Sequence, residues 1–526
     1  MRLLRLNAPF AVVFIIISIT SALLFNACGG GASGTKAMRF KQPIMLKVNA
    51  ASAPTKQYAG IIQNQLKQVG IPAEIDTVEF NTLIEQQQKG QFQMTTGRWV
   101  GGNQDPIYLS DLFHTGSFRN RGRYTNPELD RLLDEALDTF DRVKAKELYT
   151  RAQDIVSREL PQLPLWYVDQ MVVARSNVRN INVPVDGDWR YLRDLTVEGG
   201  KQGPFVVVIE SPQRTLDQLR GSDASSERFR QIMFNSLVRK NERFDYVGDI
   251  ASDIQASPDG LTYTFKLRDG VKFHNGKSFT SADAKYTLDT LLASDSTKAN
   301  DFFETVGAER KPLVNSIETP DPLTLVVHLN KQSNKFLSSL VAVGMMPQGY
   351  TTDEQSKNPI GTGAFKFVRY DESQQVVDLV ANEAYWGGAP AIKQLRVRTI
   401  LDASTLQAEL KSGGVDLAAV ANLQPDTYEA LGHDASLKVT QFPGVNVVYL
   451  LFNVTGEPLN DARVRQAIAY AIDRQAIVKE LLLGQARVAN SILPEQSWAY
   501  SPGQVYNFDP EKAKQILDDA GYKAGQ

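Results

Sequence analysis

The chain has 526 residues, of which 42% are hydrophobic and 22% charged, with a formal net charge of −2. This composition is that of an ordinary globular protein, and without a basic excess it gives no indication of nucleic-acid binding. The sequence has one cysteine, which excludes a disulfide framework and a cysteine-based zinc site because each needs at least two.

The N-terminal region has the pattern of an export signal. Arg2 and Arg5 precede an apolar run over residues 8–25, and the small residue Ala27 stands directly before Cys28. A glycine-rich stretch follows the cysteine. This arrangement resembles a bacterial lipoprotein signal, in which the cysteine receives lipid and becomes the mature N-terminus.

The resemblance predicts a signal peptide over residues 1–27, lipidation of Cys28 and a flexible linker over residues 28–37. The alternative is an uncleaved membrane anchor, because the apolar run approaches the length that spans a bilayer. In either case we expect the protein to lie on the periplasmic or extracellular face of a bacterial membrane, held there by its N-terminus.

Strand and helix patterns alternate in the next part of the chain. Period-2 patterns predict strands over residues 43–49 and 73–80, and a helix with one apolar face begins between them near Thr55. The Asn-Pro pair at 126–127 is typical of a helix start, with asparagine as cap and proline in the first turn. A second helix is predicted over residues 143–158.

The middle of the chain contains a predicted β-hairpin. Apolar and polar residues alternate from 261 to 268, which is the pattern of a strand with one buried face. The Asp-Gly pair at 269–270 is typical of a tight turn, and Val271 and Phe273 resume the alternation. These residues therefore predict two adjacent strands joined by that turn.

Helix signals follow in the rest of the sequence. Thr280 stands three residues before Asp283, a capping-box arrangement that predicts a helix beginning directly after Thr280. Apolar stripes predict helices over residues 461–472 and 473–483, and a helix with a signal at each end is predicted over residues 509–520. The stripes indicate packing into a core.

Four stretches of the sequence resemble the extracellular solute-binding proteins of family 5, the oligopeptide, dipeptide and nickel receptors of ABC importers. They are TFKLRDGVKFHNGKSFTSADAKYTL (264–288), NPIGTGAFKF (358–367), LNDARVRQAIAYAIDRQAIVKELL (459–482) and LPLWYVDQ (163–170). The resemblance implies an α/β, two-lobed fold of the type II periplasmic-binding-protein kind, with a hinge of two crossings and the ligand between the lobes.

The order of the segments differs from that of the family. Segments similar to residues 38–195 form the C-terminal third of family members, whereas here they come first, and residues 203–219 resemble the family's mature N-terminus. The resemblance therefore predicts a circular permutation. The alternatives are a chain of two incomplete copies that pair with other molecules, or an error in the assembled gene.

A permuted chain also predicts how the lobes divide. The old ends are joined near residues 198–203, a connection that reaches only about 20 Å when extended, so they have to be neighbours in the fold. The expected division is lobe I at 165–444, lobe II at 38–164 and 445–526, and hinge crossings near Pro164 and Gly444.

The loop at 97–106 is the first candidate for ligand contact. Trp99 offers a flat apolar surface, and Arg98, Asn103 and Asp105 can anchor charged or amide groups. In peptide-binding relatives this loop carries an acidic residue that pairs with the peptide's amino terminus. That acid is missing here, and Asp105 is a displaced substitute, so a sugar, an opine or another polar solute becomes more plausible than a free peptide.

A second candidate region lies at residues 224–228. Relatives present a backbone edge to the ligand here, and this sequence offers the side chains of Ser225, Ser226 and Arg228. The alternative for every residue in both regions is ordinary surface or hinge polarity.

No catalytic, metal or cofactor site is predicted. The Gly-Thr-Gly at 361–363 lacks the lysine and hydroxyl residue of a phosphate loop, and the four histidines show no zinc-binding spacing. No GxSxG nucleophile elbow occurs. A protein that is not an enzyme is expected.

The sequence as a whole predicts a monomeric binding protein that captures a small polar solute, a peptide or another compound, and delivers it to an ABC permease in the membrane. One alternative is a clamp-type binder that serves signalling or chaperoning without a permease. Another is an enzyme adapted from the cleft.

Overall fold

The computed structural model describes residues 38–50, 52–100, 105–139, 141–306, 309–419 and 423–525. The predicted signal peptide, the linker with Cys28, and Asn103 lie outside these residues. Within the described ranges, no helix is both long and apolar enough to cross a bilayer.

The described chain contains both helices and strands along its whole length. The helices are α1 (Ala53–Gln68), α2 (Phe80–Lys89), α3 (Tyr108–Phe113), α4 (Pro127–Leu137), α5 (Arg142–Glu159), α6 (Ala224–Met233), α7 (Ser281–Leu292), α8 (Lys335–Leu340), α9 (Thr352–Lys357), α10 (Ala403–Ser412), α11 (Pro425–Gly432), α12 (Ala462–Ala471), α13 (Arg474–Ala476) and α14 (Pro510–Asp519). Two 3₁₀ helices cover Trp189–Asp194 and Thr297–Phe302, and a π-helical turn covers Ile477–Leu481.

The strands are β1 (Ile44–Asn49), β2 (Ala73–Val78), β3 (Met94–Trp99), β4 (Gln162–Arg175), β5 (Val178–Arg179), β6 (Thr196–Val197), β7 (Phe205–Ile209), β8 (Val238–Lys240), β9 (Tyr246–Gly248), β10 (Ala251–Ala256), β11 (Thr262–Leu267), β12 (Phe303–Val306), β13 (Glu309–Pro312), β14 (Val314–Asp321), β15 (Thr324–Leu329), β16 (Phe365–Asp371), β17 (Val376–Ala381), β18 (Gln394–Thr399), β19 (Leu417–Ala418), β20 (Leu437–Phe452) and β21 (Ala486–Val488).

One mixed sheet of 11 strands runs through the described molecule, in the order β16-β17-β18-β7-β19-β4-β20-β3-β1-β2, with β21 paired to β4. Its two long central strands, β4 and β20, are antiparallel to each other. We call the strands on the β19 side, with the residues between 170 and 442, half A. The strands on the β3 side, with residues 38–168 and 446–525, are half B.

Both faces of each half are covered, so its strands are buried on two sides. On β20, Val448, Leu450 and Phe452 pack into one core with α1, α12 and α14, whereas the alternate residues from Val447 to Leu451 pack into another with α3, α4 and α5. On β7 of half A, Val207 and Val208 likewise enter different cores. This is the period-2 alternation of a strand between two helical layers.

A separate four-stranded antiparallel sheet, β10-β11-β15-β14, packs with α7 in half A. The predicted helix after Thr280 is confirmed, because α7 begins at Ser281 and Thr280 and Asp283 form a capping box. The predicted helix near Thr55 and the one opened by the pair at 126–127 are also confirmed as α1 and α4, each with its cap bond.

The predicted hairpin at 261–273 is wrong in its second strand. β11 pairs with β10 on one side and with β15 on the other, so both of its edges are already occupied. Val271 and Phe273 are buried but lie outside a regular strand, and the chain there closes a small turn through a Lys272–Ser278 bridge. The predicted helix at 473–483 is also shorter: α13 has three residues and continues into the π-helical turn.

The connection at 198–203 is a short exposed turn between β6 and β7. Gly199, Gly200 and Gly203 all have positive φ, at 78°, 75° and 74°, a conformation that glycine adopts without steric cost. At the other end of the chain, the Gly525 amide donates to the Met38 carbonyl oxygen over 3.1 Å. The first and last described residues are therefore neighbours.

Arg39 and Phe40 extend this contact between the two ends. The Arg39 guanidinium donates to the Tyr522 carbonyl oxygen at 2.7 Å and pairs with Asp518 at 2.5 Å. The rings of Phe40 and Tyr522 are 4.8 Å apart between centroids. The start and the end of the described chain thus pack as parts of one substructure in half B.

Candidate functional site: the junction between the two halves

The halves are joined where β4 and β20 exchange neighbours. The register between the strands shifts between Phe442 and Asn446, opposite residues 168–170 of β4. Before this level β20 pairs only with β4, and beyond it β20 also pairs with β3. Both strands thus change partners at the same level. The connection between the halves therefore consists of two strands that cross from one half to the other.

A polar network fills the irregularity. The buried Asp169 carboxylate accepts hydrogen bonds from Arg487 Nε at 2.8 Å, Gln441 Nε2 at 2.7 Å and the Gly444 amide at 3.2 Å. A Cβ on Gly444 would lie 2.1 Å from the Val168 carbonyl oxygen, so only glycine fits there. Polar groups thus fix the geometry of the bulge.

The halves also touch away from these strands through polar groups. Arg142 of half B pairs with Asp245 of half A, and its guanidinium lies 4.6 Å from the centre of the Trp498 ring. Asn334 of half A donates to three carbonyl oxygens at the C-terminal end of α4, at 2.8–3.2 Å. This end of α4 carries negative partial charge, which a donor satisfies.

Asp105, the predicted substitute for the missing acid, takes part in this junction. Its carboxylate accepts a hydrogen bond from the Tyr246 hydroxyl of half A and one from the Ile107 amide at 3.0 Å. Burial, reinforced by the nearby Asp105, raises the pKa of Tyr246 well above its usual value. The tyrosine therefore remains a neutral donor, and the structure brings Asp105 to the boundary between the halves.

Trp99 and Arg98 lie on opposite faces of β3, because successive side chains of a strand alternate. Trp99 is 8% exposed and stacks on Tyr449 with ring centres 4.8 Å apart. Its buried Nε1 has no acceptor in the described residues. Arg98 is exposed on the other side, so the structure does not bring these two side chains together.

Ser225 and Ser226 are buried at the start of α6, where their hydroxyls have protein partners. Ser226 Oγ donates to Asp223 at 2.6 Å and accepts from the Arg214 and Thr215 amides. Ser225 Oγ donates to the Ser211 carbonyl oxygen at 2.6 Å. These bonds already use the protons of both hydroxyls. Contact of the two serines with a ligand stays a prediction.

Arg228, on the same helix, is placed differently. Its guanidinium lies 5.6 Å from the centre of the Trp189 ring and donates to the Gly187 carbonyl oxygen. Two buried groups nearby, Trp189 Nε1 and the Tyr191 hydroxyl, have no hydrogen-bond partner in the described residues. We call Trp189, Tyr191 and Arg228 the Arg228 cluster.

Three carboxylates, those of Asp188, Asp186 and Glu210, act electrostatically on Arg228. Asp188 and Asp249 pair with Arg190, at 2.7 Å and 3.3 Å. Within the described chain, no carboxylate lies within ion-pair distance of Arg228, and burial lowers its pKa. The cluster therefore presents two buried donors without an acceptor, Trp189 Nε1 and the Tyr191 hydroxyl, beside a guanidinium without a carboxylate partner, which is uncommon in a folded protein.

The Arg228 cluster adjoins the crossing strands. Gln170 of β4 donates to the Pro184 and Val185 carbonyl oxygens at 2.7 Å and 3.2 Å, which holds the loop before Trp189 against β4. A Cβ on Gly187 would lie 2.5 Å from Gln170 Oε1. Sequence reasoning missed Trp189 and Tyr191. The available signal was the concentration of aromatic and charged residues in DGDWRYLRD (186–194).

A small internal cavity of ≈ 30 Å³ lies elsewhere, inside half B, beside α5 and Arg474. This volume is enough for a water molecule or two. The buried Arg474 donates to the carbonyl oxygens of Pro164, Ala489 and Tyr506, and burial lowers its pKa to about 10. In the ranges that the structure covers, no group of three acidic, histidine or cysteine side chains is positioned to hold a metal ion.

A sequence profile described as "Bacterial extracellular solute-binding proteins, family 5 Middle" matches residues 24–120 and 245–526, which is more than half of the chain. The chain belongs to this family. The match comes in two separate segments on either side of residues 121–244.

Named relatives of family 5 match over part of their length. A protein of Brucella ovis named as an ABC transporter peptide-binding protein is 36% identical over 300 residues, covering 55% of each chain. Heme-binding protein A of Haemophilus influenzae is 34% identical over 319 residues, covering 56% of this chain and 57% of the relative. The chain thus spans about half the length of the curated relatives it matches.

A solved structure supports the family 5 fold. The ABC transporter substrate-binding protein CtaP of Listeria monocytogenes superposes with a TM-score of 0.50 at 23% sequence identity, covering 62% of this chain and 66% of that one. At this identity the likeness concerns the fold, which is the α/β fold of type II periplasmic binding proteins. The fold class expected from the resemblance is confirmed.

Proposed function

We propose that this protein is a solute receptor whose two halves close on a small polar ligand and deliver it to an ABC permease on the outer face of the membrane. The observation that carries the proposal is the simultaneous change of partners by β4 and β20 at residues 168–170 and 442–446. Two strands crossing at one level permit hinge bending, and a ligand held by both halves stabilises the closed state.

The halves correspond to the lobes of the proposal. The hinge crossing expected near Gly444 coincides with the bulge, whereas the one expected near Pro164 lies on β4 before the exchange of partners at residues 168–170. The distribution of the cores supports a lobe I over 165–444 and a lobe II over 38–164 and 445–526, except that Leu165 and Trp166 pack into the core of half B.

The circular permutation is part of this proposal. Residues 38–200 and 203–525 contribute strands to the same sheet. The turn at 198–203 is short and exposed, and Met38 touches Gly525. A circular permutation requires that the family's original termini lie close together, as a short turn at 198–203 implies, and that the chain is opened at an exposed place. The two-segment family match agrees with it.

The Arg228 cluster is the proposed anchor for an acidic group of the ligand. Trp189 Nε1 and the Tyr191 hydroxyl are donors that lack an acceptor, and the Arg228 guanidinium has a carbonyl partner in Gly187 but no carboxylate partner. A carboxylate accepts several hydrogen bonds at once and pairs with a guanidinium. Peptides and haem, named for two of the relatives, both carry carboxylates. Asp105 of half B lies at the junction, where it accepts a hydrogen bond from Tyr246 of half A.

Native mass spectrometry of the purified protein identifies a compound that copurifies with it, and calorimetry then measures its affinity. Replacing Arg228 in the variant R228Q is expected to weaken binding of an acidic ligand at least tenfold, since a hydrogen bond to a charged group contributes ~1.5–3 kcal/mol. The control is R151Q, which makes the same change at an exposed arginine of α5 and should leave affinity unchanged.

Two outcomes contradict the proposal. If peptides, sugars, organic acids and metal ions produce neither heat nor a higher melting temperature, the receptor function loses its support, because a bound ligand stabilises the folded state. If a ligand binds but R228Q and R151Q bind it equally, the receptor function stands and the Arg228 anchor is wrong.

A further inference from the structure

A second polar pocket lies entirely within half B. It has a volume of ≈ 260 Å³, and its lining includes Gln88, Ser117, Phe118, Arg121, Arg123 and Thr125. The volume is several times the ~30 Å³ that one water occupies in the liquid, so the pocket has room for a small molecule. Its lining includes two arginines and no acidic residue. We call it the arginine pocket.

The two arginines carry charges that the protein does not neutralise. Arg121 donates to Gln87 Oε1 at 2.7 Å and lies 5.5 Å from the centre of the Trp99 ring, and its buried Nε has no acceptor in the described residues. Arg123 donates to the Gln88 carbonyl oxygen. The described residues place no carboxylate within ion-pair distance of either guanidinium.

The neighbouring Arg119 provides the contrast. Arg119 pairs with Asp111 at 2.8 Å, and neither residue lines the pocket. The nearby acid therefore neutralises Arg119 and not the arginines of the pocket. The sequence from Phe118 to Tyr124 reads FRNRGRY, with an arginine at every second position. Two of these three arginines face the cavity, and the third is paired beside it.

The backbone of the arginine pocket is fixed rather than loose. The buried Asn120 donates to the carbonyl oxygens of His114 and Tyr124 at 3.1 Å and 2.7 Å, and it accepts from the Tyr124 amide. Arg123 has φ of 58°, a left-handed conformation that is unfavourable for a residue with a Cβ. Asn120 thus holds the loop that carries Arg121 and Arg123, both of which line the pocket.

We propose that the arginine pocket binds a small organic anion, with a phosphate or carboxylate on Arg121 and Arg123 and an apolar part on Phe118. Guanidinium groups match the geometry of both oxyanions, and the Thr125 hydroxyl adds a donor, whereas the Ser117 hydroxyl already donates to the Asp111 carbonyl oxygen. Phe118 is 75% exposed, which leaves a large aromatic surface free at the rim. Because every lining residue belongs to half B, this site does not depend on closure of the halves.

The test uses phenyl phosphate as the probe and inorganic phosphate as the comparison, with the full-length protein in a phosphate-free detergent. Calorimetry at 0.15 M salt suppresses non-specific attraction between exposed charges. The wild-type protein is expected to bind phenyl phosphate, and the double variant R121Q/R123Q at least tenfold more weakly. F118A should weaken binding of phenyl phosphate but not of inorganic phosphate. R119Q is the matched control and should bind as the wild type does.

Because Arg121 also contacts Trp99, the melting temperature of each variant is measured alongside. R123Q alone is the second variant, since this exposed side chain lies outside the cores and its loss should still weaken binding several-fold. Equal binding by the wild type and R123Q, or no binding of phenyl phosphate at millimolar concentration, would overturn the proposal. Loss of affinity in R119Q as large as in R123Q would also overturn it, because the effect would then be one of net charge.

Discussion

At the scale of single residues, His274 joins two of the stretches that carry the family resemblance. Its Nε2 donates to the Gly363 carbonyl oxygen at 3.1 Å, and its Nδ1 accepts from the Gly361 amide at 3.3 Å. A ring that donates at one nitrogen and accepts at the other is neutral. A Cβ on Gly361 would lie 2.2 Å from the Met233 carbonyl oxygen, so the Gly-Thr-Gly segment is glycine-rich for packing.

The neutral His274 makes stability depend on pH. Burial lowers its pKa to about 4, below the usual value near 6.5, so between these pH values the unfolded chain binds a proton that the folded one does not. Stability should therefore fall as the pH drops from 6.5 towards 4, by at most about 3 kcal/mol from this residue. Urea unfolding at pH 7 and pH 4.5 measures the loss.

The variant H274Q tests the assignment, because glutamine donates and accepts like the neutral ring but does not titrate. It should lose less stability than the wild type between the two pH values. H433Q alters an exposed histidine and should behave as the wild type. Equal losses in H274Q and the wild type would show that other groups set the acid dependence.

At the scale of secondary-structure elements, β4 and β20 are the connection on which the proposed closure depends. Their bulge needs Gly444, since a Cβ there would meet the Val168 carbonyl oxygen of the opposite strand. The Asp169 network holds the same level through side chains from β4, β20 and β21. Changes at this level should therefore alter stability and bending together.

We expect G444A to lower the free energy of unfolding by about 1–3 kcal/mol, the usual cost of forcing extra atoms into a packed site. Gly456 is the matched control, because a Cβ there has nothing within 4 Å, and G456A should stay within ~0.5 kcal/mol of the wild type. Denaturant unfolding monitored by circular dichroism gives both values. A G444A protein as stable as G456A would mean that the bulge relaxes freely.

The elements that the sequence predicted well are those with local causes. Thr280 caps α7 through Asp283, and Asn126 caps α4 through the Leu129 amide, so each signal and its partner lie within a few residues. The partner of β11 could not be predicted in this way, because the choice between a neighbour at 271–273 and β10 depends on the whole sheet.

The candidate site was less predictable for the same reason. The Arg228 cluster combines α6 with a 3₁₀ helix almost forty residues earlier, and its unpaired donors become apparent only when both are placed. Trp99 was predicted from its chemistry as a ligand surface, but the alternation along β3 places its ring against Tyr449 in a core. The residue type suggested contact with a ligand, but the geometry of the strand decided on which face of the sheet the side chain lies.

At the scale of the whole molecule, the order of segments and the fold are separable. Residues 38–50 and 509–525 meet at Met38 and Gly525, although almost the full sequence separates them. The exposed glycines at 199 and 200 lie in the turn that replaces the family's ends in the proposed permutation. A fold set by contacts tolerates such a change as long as no buried strand is cut.

The permutation is tested by reversing it. A gene that links Gly525 to Met38 through a few glycines and opens the chain between Gly200 and Lys201 should give a monomer with a similar circular dichroism spectrum and a melting temperature within a few degrees. A second gene, opened within β7 between Val207 and Val208, should fail to fold because both residues are buried. A relinked chain that aggregates or dimerises would favour two incomplete copies instead.

The contact between Met38 and Gly525 also provides a fixed reference for measuring the proposed motion of the halves. Fluorescent labels attached beside these residues would stay at constant separation during the proposed opening of the halves, since both lie in half B. Labels at Arg142 and Asp245, which meet across the junction, would move apart. Energy transfer between the second pair thus reports the distance across the junction, and the first pair provides its internal standard.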